Sequence, residues 1–182
     1  MSSLDALPRI ERLDAADAAD AAAALPHLTE ILMDCVEGGA SVSFMQPLAQ
    51  AKADAFWRGV LESAALGERI VLVARDREGR ISGTVQVVLS LPENQPHRGD
   101  VAKLLVHRRA RRQGLANLLM AAAENAARDA GRTLLVLDTV TGGAGEQLYA
   151  QRGWVESGRI PGYALMPAGG LCSTTIFYKP LA

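Results

Sequence analysis

The sequence predicts an α/β domain with a mixed, mostly antiparallel central sheet that is flanked by helices. Residues 69–106 contain three consecutive β-rich runs, which is typical of an antiparallel meander. An amphipathic helix follows, and then the continuous apolar run TLLVLDTV, which is compatible with a buried parallel strand. No long linker or change of composition interrupts the chain, so we expect a single domain over residues 1–182.

The first third of the chain predicts one strand and two helices. LPRIERL (7–13) is interpreted as a strand, after which Asp14 is suited to cap a helix that ends at Gly38 and Gly39. Pro26 predicts a kink or a restart within this helix. The aspartates that recur every three residues from Asp14 are interpreted as a solvated helix face. The loop GGASVSFMQPL then leads to a second helix, AQAKADAFWRGVLESAALG.

Turn signals divide the remainder of the chain. Two strands flank the turn DREG, and PENQPHRGD connects them to a third strand, VAKLLV. After the next helix and TLLVLDTV, the stretch GGAGEQLYAQRG predicts a short helix that ends at Gly153. The strands WVESGRIPGYALM and LCSTTIFYK complete the chain around the glycine turn PAGG.

Composition restricts the classes of function. The formal net charge of -1 argues against a general nucleic-acid or membrane-surface binder, so an anion site must be local. No apolar run approaches the roughly 18 residues of a membrane span, and the first residues lack a signal-peptide layout, so we expect a cytoplasmic location. Cys35 and Cys172 lie outside any metal-binding spacing, which predicts reduced thiols and no metal.

The stretch VHRRARRQGLANLLM predicts such a local anion site. A strand ends near Val106 and a helix begins near Gly114, where unpaired amides and the helix dipole favour a phosphate. Neither GxxxxGK[ST] nor a strand-linked GxGxxG is present, so a P-loop or dinucleotide fold is not supported. The alternative is a basic surface loop before an ordinary helix. Mobile positive charge is expected from Lys103, Arg108, Arg109, Arg111 and Arg112.

The motif Arg111-x-x-Gly114-x-Ala116, between a strand and an amphipathic helix, resembles the hallmark of the GNAT family of N-acetyltransferases. The resemblance implies the GNAT fold, in which the fourth and fifth strands are parallel neighbours that the cofactor splays apart. It also implies acetyl-CoA as cosubstrate. Pantetheine would lie like an added strand along Leu104, Leu105 and Val106. The pyrophosphate would bind the amides of Arg111, Arg112, Gln113, Gly114, Leu115 and Ala116.

The stretch EQLYAQRGW resembles the family pattern Leu-Tyr-x-x-x-Gly-Phe, with Trp154 in the Phe position. The resemblance implies that Tyr149 is the general acid that protonates the coenzyme A thiolate. The alternative is that Tyr149 only packs its helix. Many relatives carry Asn and, three residues later, Ala before this tyrosine, whereas this chain has Gly142 and Gly145. The resemblance therefore does not extend to a side-chain contact with pantetheine there.

Several segments are similar to the tabtoxin-resistance branch of the family, which acetylates a toxin's β-lactam derivative: EGGASVSFMQPL, NQPHRGDVAKLLVHRRARRQGLA, LLVLDTVTG, LYAQRGW and STTIFYK. This similarity implies that Asp138 is the general base. Asp138 ends a strand expected to be buried, where burial suits a carboxyl to act as a base. The equally weighted alternative is that it caps the following loop.

The implied fold also suggests where the acceptor binds. Its pocket is shaped by GGASVSF and approached by NQPHR, which makes Asn94, Gln95 and His97 candidate substrate contacts. A solvated hairpin explains these three nearly as well. His107, at the end of the acetyl-CoA strand, is expected to be mainly structural.

The resulting hypothesis is direct acetyl transfer to an amine or hydroxyl of a small molecule, with no metal and no covalent enzyme intermediate. Three alternatives remain: a protein or peptide N-acetyltransferase, a non-catalytic acyl-CoA-binding protein, and a nucleic-acid binder that rests on the arginines alone. The low net charge makes the last the weakest, so we expect no nucleic-acid partner. The resemblance is compatible with a homodimer.

Overall fold

The computed structural model describes residues 8–181, which form a seven-stranded sheet with four α-helices. The strands are β1 Arg9–Arg12, β2 Arg69–Arg75, β3 Ile81–Val88, β4 Arg98–Val106, β5 Leu134–Val140, β6 Val155–Leu165 and β7 Leu171–Pro180. The helices are α1 Ala18–Glu37, α2 Gln50–Ala65, α3 Leu115–Asp129 and α4 Ala144–Gln151. The strand order is β1-β2-β3-β4-β5-β7-β6, and β4 and β5 form its parallel pair. The predicted fold class is confirmed.

The sheet separates two hydrophobic cores. Leu119, Met120 and Ala123 of α3 are fully buried against β2, β3 and β5, in a core that also includes Tyr149 of α4. On the other face, α1 and α2 bury Leu28 and Trp57 against the sheet. Each large apolar side chain buried in this way contributes about 1.5–3 kcal/mol relative to an exposed one. Among residues 8–181, no helix combines the length and the apolar character that a bilayer span requires.

The start of α1 differs from the prediction. Asp17 caps the helix, because its Oδ1 accepts the amide of Ala19 at 2.8 Å, whereas Asp14 accepts amides in the preceding turn. Asp14 and Asp17 are exposed as expected but lie before the helix, whereas Asp20, within it, forms an ion pair with Arg75 at 2.8 Å. The helix continues through Pro26 without a restart.

Strand β4 also departs from the prediction at two places. It begins at Arg98, three residues before the predicted VAKLLV, because Arg98–Asp100 already pair with Leu134–Val136 of β5. Further along, Ala102 pairs with Gln86 but Leu105 pairs with Thr84, so β4 contains one extra residue. This bulge includes Lys103, whose backbone is left-handed with a φ of 51°.

Candidate active site

A cleft opens between β4 and β5 halfway along the sheet. Their parallel pairing ends at Asp100 and Val136, although both strands continue beyond these residues. His107 N donates to Ser82 O at 2.9 Å, and hydrogen bonds in an antiparallel ladder alternate. The amides of Leu104 and Val106 therefore point away from β3 and into the cleft. A ligand lying there would meet an unpaired strand edge.

A loop at the end of β4 presents backbone donors at the mouth of this cleft. Positive φ values of 61° at Arg112 and 77° at Gly114 turn the chain into α3. Within residues 8–181, no acceptor pairs with the amides from Arg112 to Ala116, whereas the amide of Arg111 bonds Arg108 O at 3.4 Å. A Cβ at Gly114 would meet nothing within 4 Å, so the space is open. This geometry suits a phosphate group.

Ion pairs to α1 hold this loop in place. Asp34 accepts the amide of Arg108 at 2.9 Å and pairs with its guanidinium, and Arg109 pairs with Glu30 at 2.7 Å. Burial raises the pKa of Asp34, but the hydrogen bonds from Arg108 outweigh it and lower the pKa overall. Arg108 and Arg109 are therefore structural and not mobile, which corrects the sequence-based expectation.

The remaining predicted cations also differ in their surroundings. Arg111 Nε donates to Val106 O at 3.0 Å. The Lys103 ammonium lies on the α1 and α2 side of the sheet, above the ring of Phe56. Arg112 is exposed and forms no side-chain hydrogen bond within the described residues. Of the five expected mobile charges, Arg112 is the one that stays free beside the unpaired amides.

His107 stabilises the turn that leads into the loop. Its Nδ1 accepts the amide of Arg109 at 3.2 Å, and its Nε2 lies 3.3 Å from Glu30 Oε1. Burial lowers the pKa of His107 more than the nearby carboxylate of Asp34 raises it, so the imidazole is neutral at pH 7. Both ring nitrogens have protein partners, which matches the structural role expected of His107.

Tyr149 lies on the α3 and α4 side of the sheet. The side chain is buried, and its ring centroid lies 6.0 Å from that of Trp154 and 5.9 Å from that of Phe177. Burial, with a smaller contribution from Asp138, raises the pKa of Tyr149 to about 12. The phenol therefore carries its proton at neutral pH and can act there as a proton donor and not as a phenolate base.

Asp138 differs from the expectation in its exposure. Leu135 and Leu137 are buried under α3, so alternation places Asp138 on the α1 and α2 side, where it is exposed. The strand continues to Val140, and Thr174 Oγ1 donates to Asp138 Oδ2 at 3.1 Å. The predicted burial of Asp138 is wrong, because helix α3 covers only the opposite face of β5. Asp138 and Tyr149 thus lie on opposite faces of the sheet.

Comparison with known proteins identifies the family. The sequence model of the "Acetyltransferase (GNAT) domain" matches residues 67–156. An Azospirillum brasilense protein, the "Uncharacterized N-acetyltransferase in hisH-hisA intergenic region", is 34% identical over 116 residues, which are 63% of this chain and 67% of that protein. The chain belongs to the GNAT family. It is an N-acetyltransferase.

Solved structures share the fold of this GNAT enzyme. A ribosomal-protein-alanine N-acetyltransferase from Brucella melitensis superposes with a TM-score of 0.75 at 22% identity, covering 94% of this chain and 99% of that one. A phosphinothricin acetyltransferase from Sinorhizobium meliloti in complex with acetyl-CoA gives a TM-score of 0.76 at 17% identity, covering 96% and 89%. Acetyl-CoA is therefore bound in a protein of this fold.

The connection predicted to contact the substrate lies elsewhere in the GNAT enzyme. His97 O accepts the amides of Thr133 and Leu134, at the start of β5, and the side chain of Gln95 binds Arg98 at 2.7 Å. Asn94, Gln95 and His97 are thus at the end of the sheet where β4 and β5 still pair. The structure does not bring these three residues together with Asp138 and Tyr149.

Sequence reasoning missed the position of one residue on the α1 and α2 side of this GNAT enzyme. Lys103 was grouped with the arginines, but its Nζ lies 3.1 Å from Ser43 Oγ and 5.7 Å from the centroid of the Phe56 ring. Its position inside the otherwise apolar run VAKLLV was the available signal, since a lysine is rare in a strand covered on both faces. Within residues 8–181, no group of three His, Cys, Asp or Glu is arranged to hold a metal.

Proposed function

We propose that this acetyltransferase moves the acetyl group of acetyl-CoA directly to an amine or hydroxyl of a small molecule, within a ternary complex. The observation that carries the proposal is the cleft beyond Asp100 and Val136, which ends beside five unpaired amides at the start of α3. Strand elements from Arg9 to Pro180 share one sheet, so we also propose that residues 1–182 act as a single catalytic domain.

The cleft and the loop suit the two polar parts of acetyl-CoA. The amides from Arg112 to Ala116 and the Arg112 guanidinium would bind the pyrophosphate, because unpaired donors and the helix dipole favour an anion. The amides of Leu104 and Val106 would pair with the amide groups of pantetheine, as in strand addition, and Leu105 anchors this segment in the core. A backbone amide near Val106 that pantetheine leaves unpaired is suited to stabilise the developing oxyanion.

The two faces of the cleft separate the acid from the base. Asp138, on the α1 and α2 side, would remove the proton as the acceptor nitrogen or oxygen forms a bond to the acetyl carbon. When the carbon–sulfur bond breaks, Tyr149 would donate its proton to the thiolate from the α3 and α4 side. A phenol with a pKa of about 12 always holds that proton at neutral pH. Direct transfer requires acetyl-CoA and the acceptor to be bound at the same time. The separation of β4 and β5 would let the two reactants meet from the two sides of the sheet.

We also propose a toxin's β-lactam derivative as one candidate acceptor. Support comes from the similarity of the segments around the cleft, such as LLVLDTVTG and LYAQRGW, to the tabtoxin-resistance branch. Asp138 and Tyr149 lie in these two segments. The acceptor would then be a small molecule that enters below the connection between α1 and α2.

An acceptor screen tests the proposed function. Free thiol released from acetyl-CoA would be followed with amino acids, β-lactam toxins, polyamines and peptides, in parallel with calorimetric binding of acetyl-CoA. Asp138→Asn should lower kcat by at least about 100-fold, because general base catalysis contributes that much. Asp129→Asn, an exposed aspartate at the end of α3, is the matched control. Unchanged turnover in Asp138→Asn would remove the base assignment.

A second candidate function is N-acetylation of a peptide or protein. A cavity of about 920 Å³ lies between α1 and the connection to α2, and its lining includes Glu30, Asp34, Glu37 and Pro47. A cavity of this size is large enough for a chain segment, although Glu30, Asp34 and Glu37 already pair with Arg108 and Arg109. None of Lys103, Asp138 and Tyr149 lines the cavity. Turnover of basic peptides and not of free amino acids in the same screen would favour this candidate.

A further inference from the structure

The bulge in β4 directs a lysine side chain into the acceptor side of the cleft. Lys103 adopts a left-handed backbone with a φ of 51°, which is unfavourable for a residue with a long side chain. A bulge re-aims one side chain and interrupts strand pairing, and it is frequent beside active sites. Here it brings Lys103 Nζ to 3.1 Å from Ser43 Oγ and above the ring of Phe56.

The Lys103 ammonium lacks a counterion. Within residues 8–181, no carboxylate oxygen lies within 4.0 Å of Nζ, and its hydrogen bond goes to the neutral Ser43 hydroxyl. An ammonium has three donors, so two remain available. Burial lowers the pKa of Lys103, Asp138 raises it in part, and Arg69 adds further positive charge. A partly buried cation without an ion-pair partner is unfavourable, and an anionic ligand would relieve this.

Lys103 lies beside Asp138, an aromatic pair and the connection between α1 and α2. Continuing the register of Asp100 with Val136 places Asp138 opposite Ala102, next to Lys103 and just beyond the point where the two strands separate. The Asp138 carboxylate is close enough to act on the charge of Lys103. Phe44 packs edge-on against Phe56 at 5.2 Å and forms an apolar wall. The connection between α1 and α2 lies above Lys103, and it is fixed by the amide of Gln46, which donates to Pro167 O at 2.9 Å.

We propose that Lys103 is a specificity-determining residue that binds a carboxylate of the acetyl acceptor. The acceptor class is therefore an amino acid, or another primary amine that carries a carboxylate. Asp138 repels that carboxylate and attracts the ammonium, whereas Lys103 does the reverse, so the two residues orient a zwitterion with its amine beside the base. This inference rests on the proposed function and names its substrate class.

Matched acceptor pairs test the inference. Each α-amino acid and ω-amino acid would be compared with its primary carboxamide, which keeps the amine and the size but removes the negative charge. In the parent enzyme, kcat/KM should favour the carboxylate by at least about tenfold, and Lys103→Met should reduce that ratio by about 10- to 100-fold, since charge-assisted hydrogen bonds have this magnitude. Turnover of the carboxamide should change by less than about threefold.

Lys52→Met is the matched control, because Lys52 is an exposed lysine that also lies above an aromatic ring, 5.8 Å from the centroid of Phe44. Its carboxylate preference should equal that of the parent. Ser43→Ala, which removes the hydroxyl partner and keeps the lysine, should give an intermediate preference. This variant tests the proposal even if Lys103→Met does not fold.

The outcomes separate this inference from the proposed function. An equal preference in the parent and in the Lys103 and Ser43 variants would overturn the inference, as would a parent enzyme that prefers carboxamides, while acetyl transfer itself would stand. If no acceptor is turned over, the inference is tested by calorimetric binding of the same amino acids to the enzyme saturated with coenzyme A. Binding that is lost in Lys103→Met supports the inference, and absence of binding in the parent overturns it. Failure to bind acetyl-CoA would instead contradict the proposed function.

Discussion

The ring of Tyr149 is fixed by Trp154 and Phe177, so its hydroxyl can be removed without loss of packing. Tyr149→Phe should therefore lower kcat by about 100-fold or more, because a positioned acid contributes at least this much. The dissociation constant for acetyl-CoA should change by less than about twofold, since the proposed contact with the pyrophosphate lies at the loop before α3. Steady-state kinetics and calorimetry measure the two quantities.

The pH profile provides a second readout of the same residue. Since the pKa of Tyr149 is raised to about 12, its proton is present throughout the neutral and mildly alkaline range, and kcat should not fall there through loss of this acid. Tyr163→Phe, on the exposed β6–β7 hairpin, is the control and should match the parent. A parent profile whose alkaline limb disappears only in Tyr149→Phe would contradict the assigned pKa.

The space around Gly145 is too small for a side chain. A Cβ at this position would lie 2.8 Å from Thr139 Oγ1 and 3.3 Å from Tyr149 Cε2. Gly145→Ala should lower the free energy of unfolding by about 1–3 kcal/mol, as overpacking does, and should lower kcat by displacing Tyr149. Chemical denaturation and kinetics give both values.

Gly59→Ala is the control for Gly145→Ala and should change the free energy of unfolding in the opposite direction. Gly59 is an exposed residue within α2, where a Cβ meets nothing within 4 Å. Its replacement should raise the free energy of unfolding by about 0.5–1 kcal/mol, because alanine is the better helix former. A destabilised Gly59→Ala or an unperturbed Gly145→Ala would show that the space around these glycines is not what determines the effect.

At the scale of elements, one buried carboxylate ties α3 to the segment that carries Tyr149. Glu124 of α3 accepts hydrogen bonds from Arg152 at 3.0 Å, Lys179 at 2.9 Å and Trp154 Nε1 at 3.0 Å. Burial raises the pKa of Glu124, but these hydrogen bonds outweigh it, so the pKa lies below its ordinary value of 4.5. The stabilisation is thus complete above about pH 4.5 and is lost as the pH falls through the lowered pKa.

Glu124→Gln should lower the free energy of unfolding at pH 7 by about 3 kcal/mol, because it leaves Arg152 and Lys179 without their charge partner. The difference from the parent should shrink as the pH falls below about 4.5, because the unfolded parent then binds the proton, and it should vanish below the lowered pKa of the folded state. Glu62→Gln, at an exposed position of α2, should change stability by less than about 0.5 kcal/mol. Denaturation across a pH series measures these differences, and a gap that widens in acid would contradict the assignment.

The periodic elements could be predicted from the sequence, whereas their ends and irregularities depended on tertiary contacts. The meander, the apolar strand β5 and the helix after the arginines follow from local pattern and are confirmed. The start of β4 at Arg98 depends on pairing with β5, which no local signal shows. Asp14 and Asp17 are equivalent caps by composition, and the turn before α1 selects Asp17.

The candidate site divides in the same way. The loop from Arg112 to Ala116 carries the family motif and lies between a predicted strand and a predicted helix, so its unpaired amides could be anticipated. The exposure of Asp138 could not, because it depends on which face of β5 is covered by α3. The position of Lys103 could not be anticipated either. The sequence predicts it as a mobile charge near the loop, but the bulge shifts the alternation of side chains by one residue, and a bulge has no reliable sequence signature.

At the scale of the whole molecule, the cleft divides the sheet into two groups of strands. Strands β1 to β4 pair on one side and β5 to β7 on the other, and the two groups hydrogen-bond through Arg98–Asp100 and Leu134–Val136. A ligand in the cleft would add contacts to both groups. Acetyl-CoA is therefore expected to stabilise the complete fold, beyond ordering the loop that binds its pyrophosphate.

Thermal unfolding with and without ligand tests this expectation. At about 100 times its dissociation constant, acetyl-CoA should add about 2.7 kcal/mol, which corresponds to a rise in Tm of about 5–11 °C for a chain of this size. S-acetylpantetheine lacks the pyrophosphate, and at the same concentration it should raise Tm by less than about 2 °C. Arg112→Ala should reduce the shift caused by acetyl-CoA. Arg128→Ala, which removes an exposed arginine at the other end of α3, should leave it unchanged. Equal shifts from the two ligands would show that the amides before α3 do not hold the pyrophosphate.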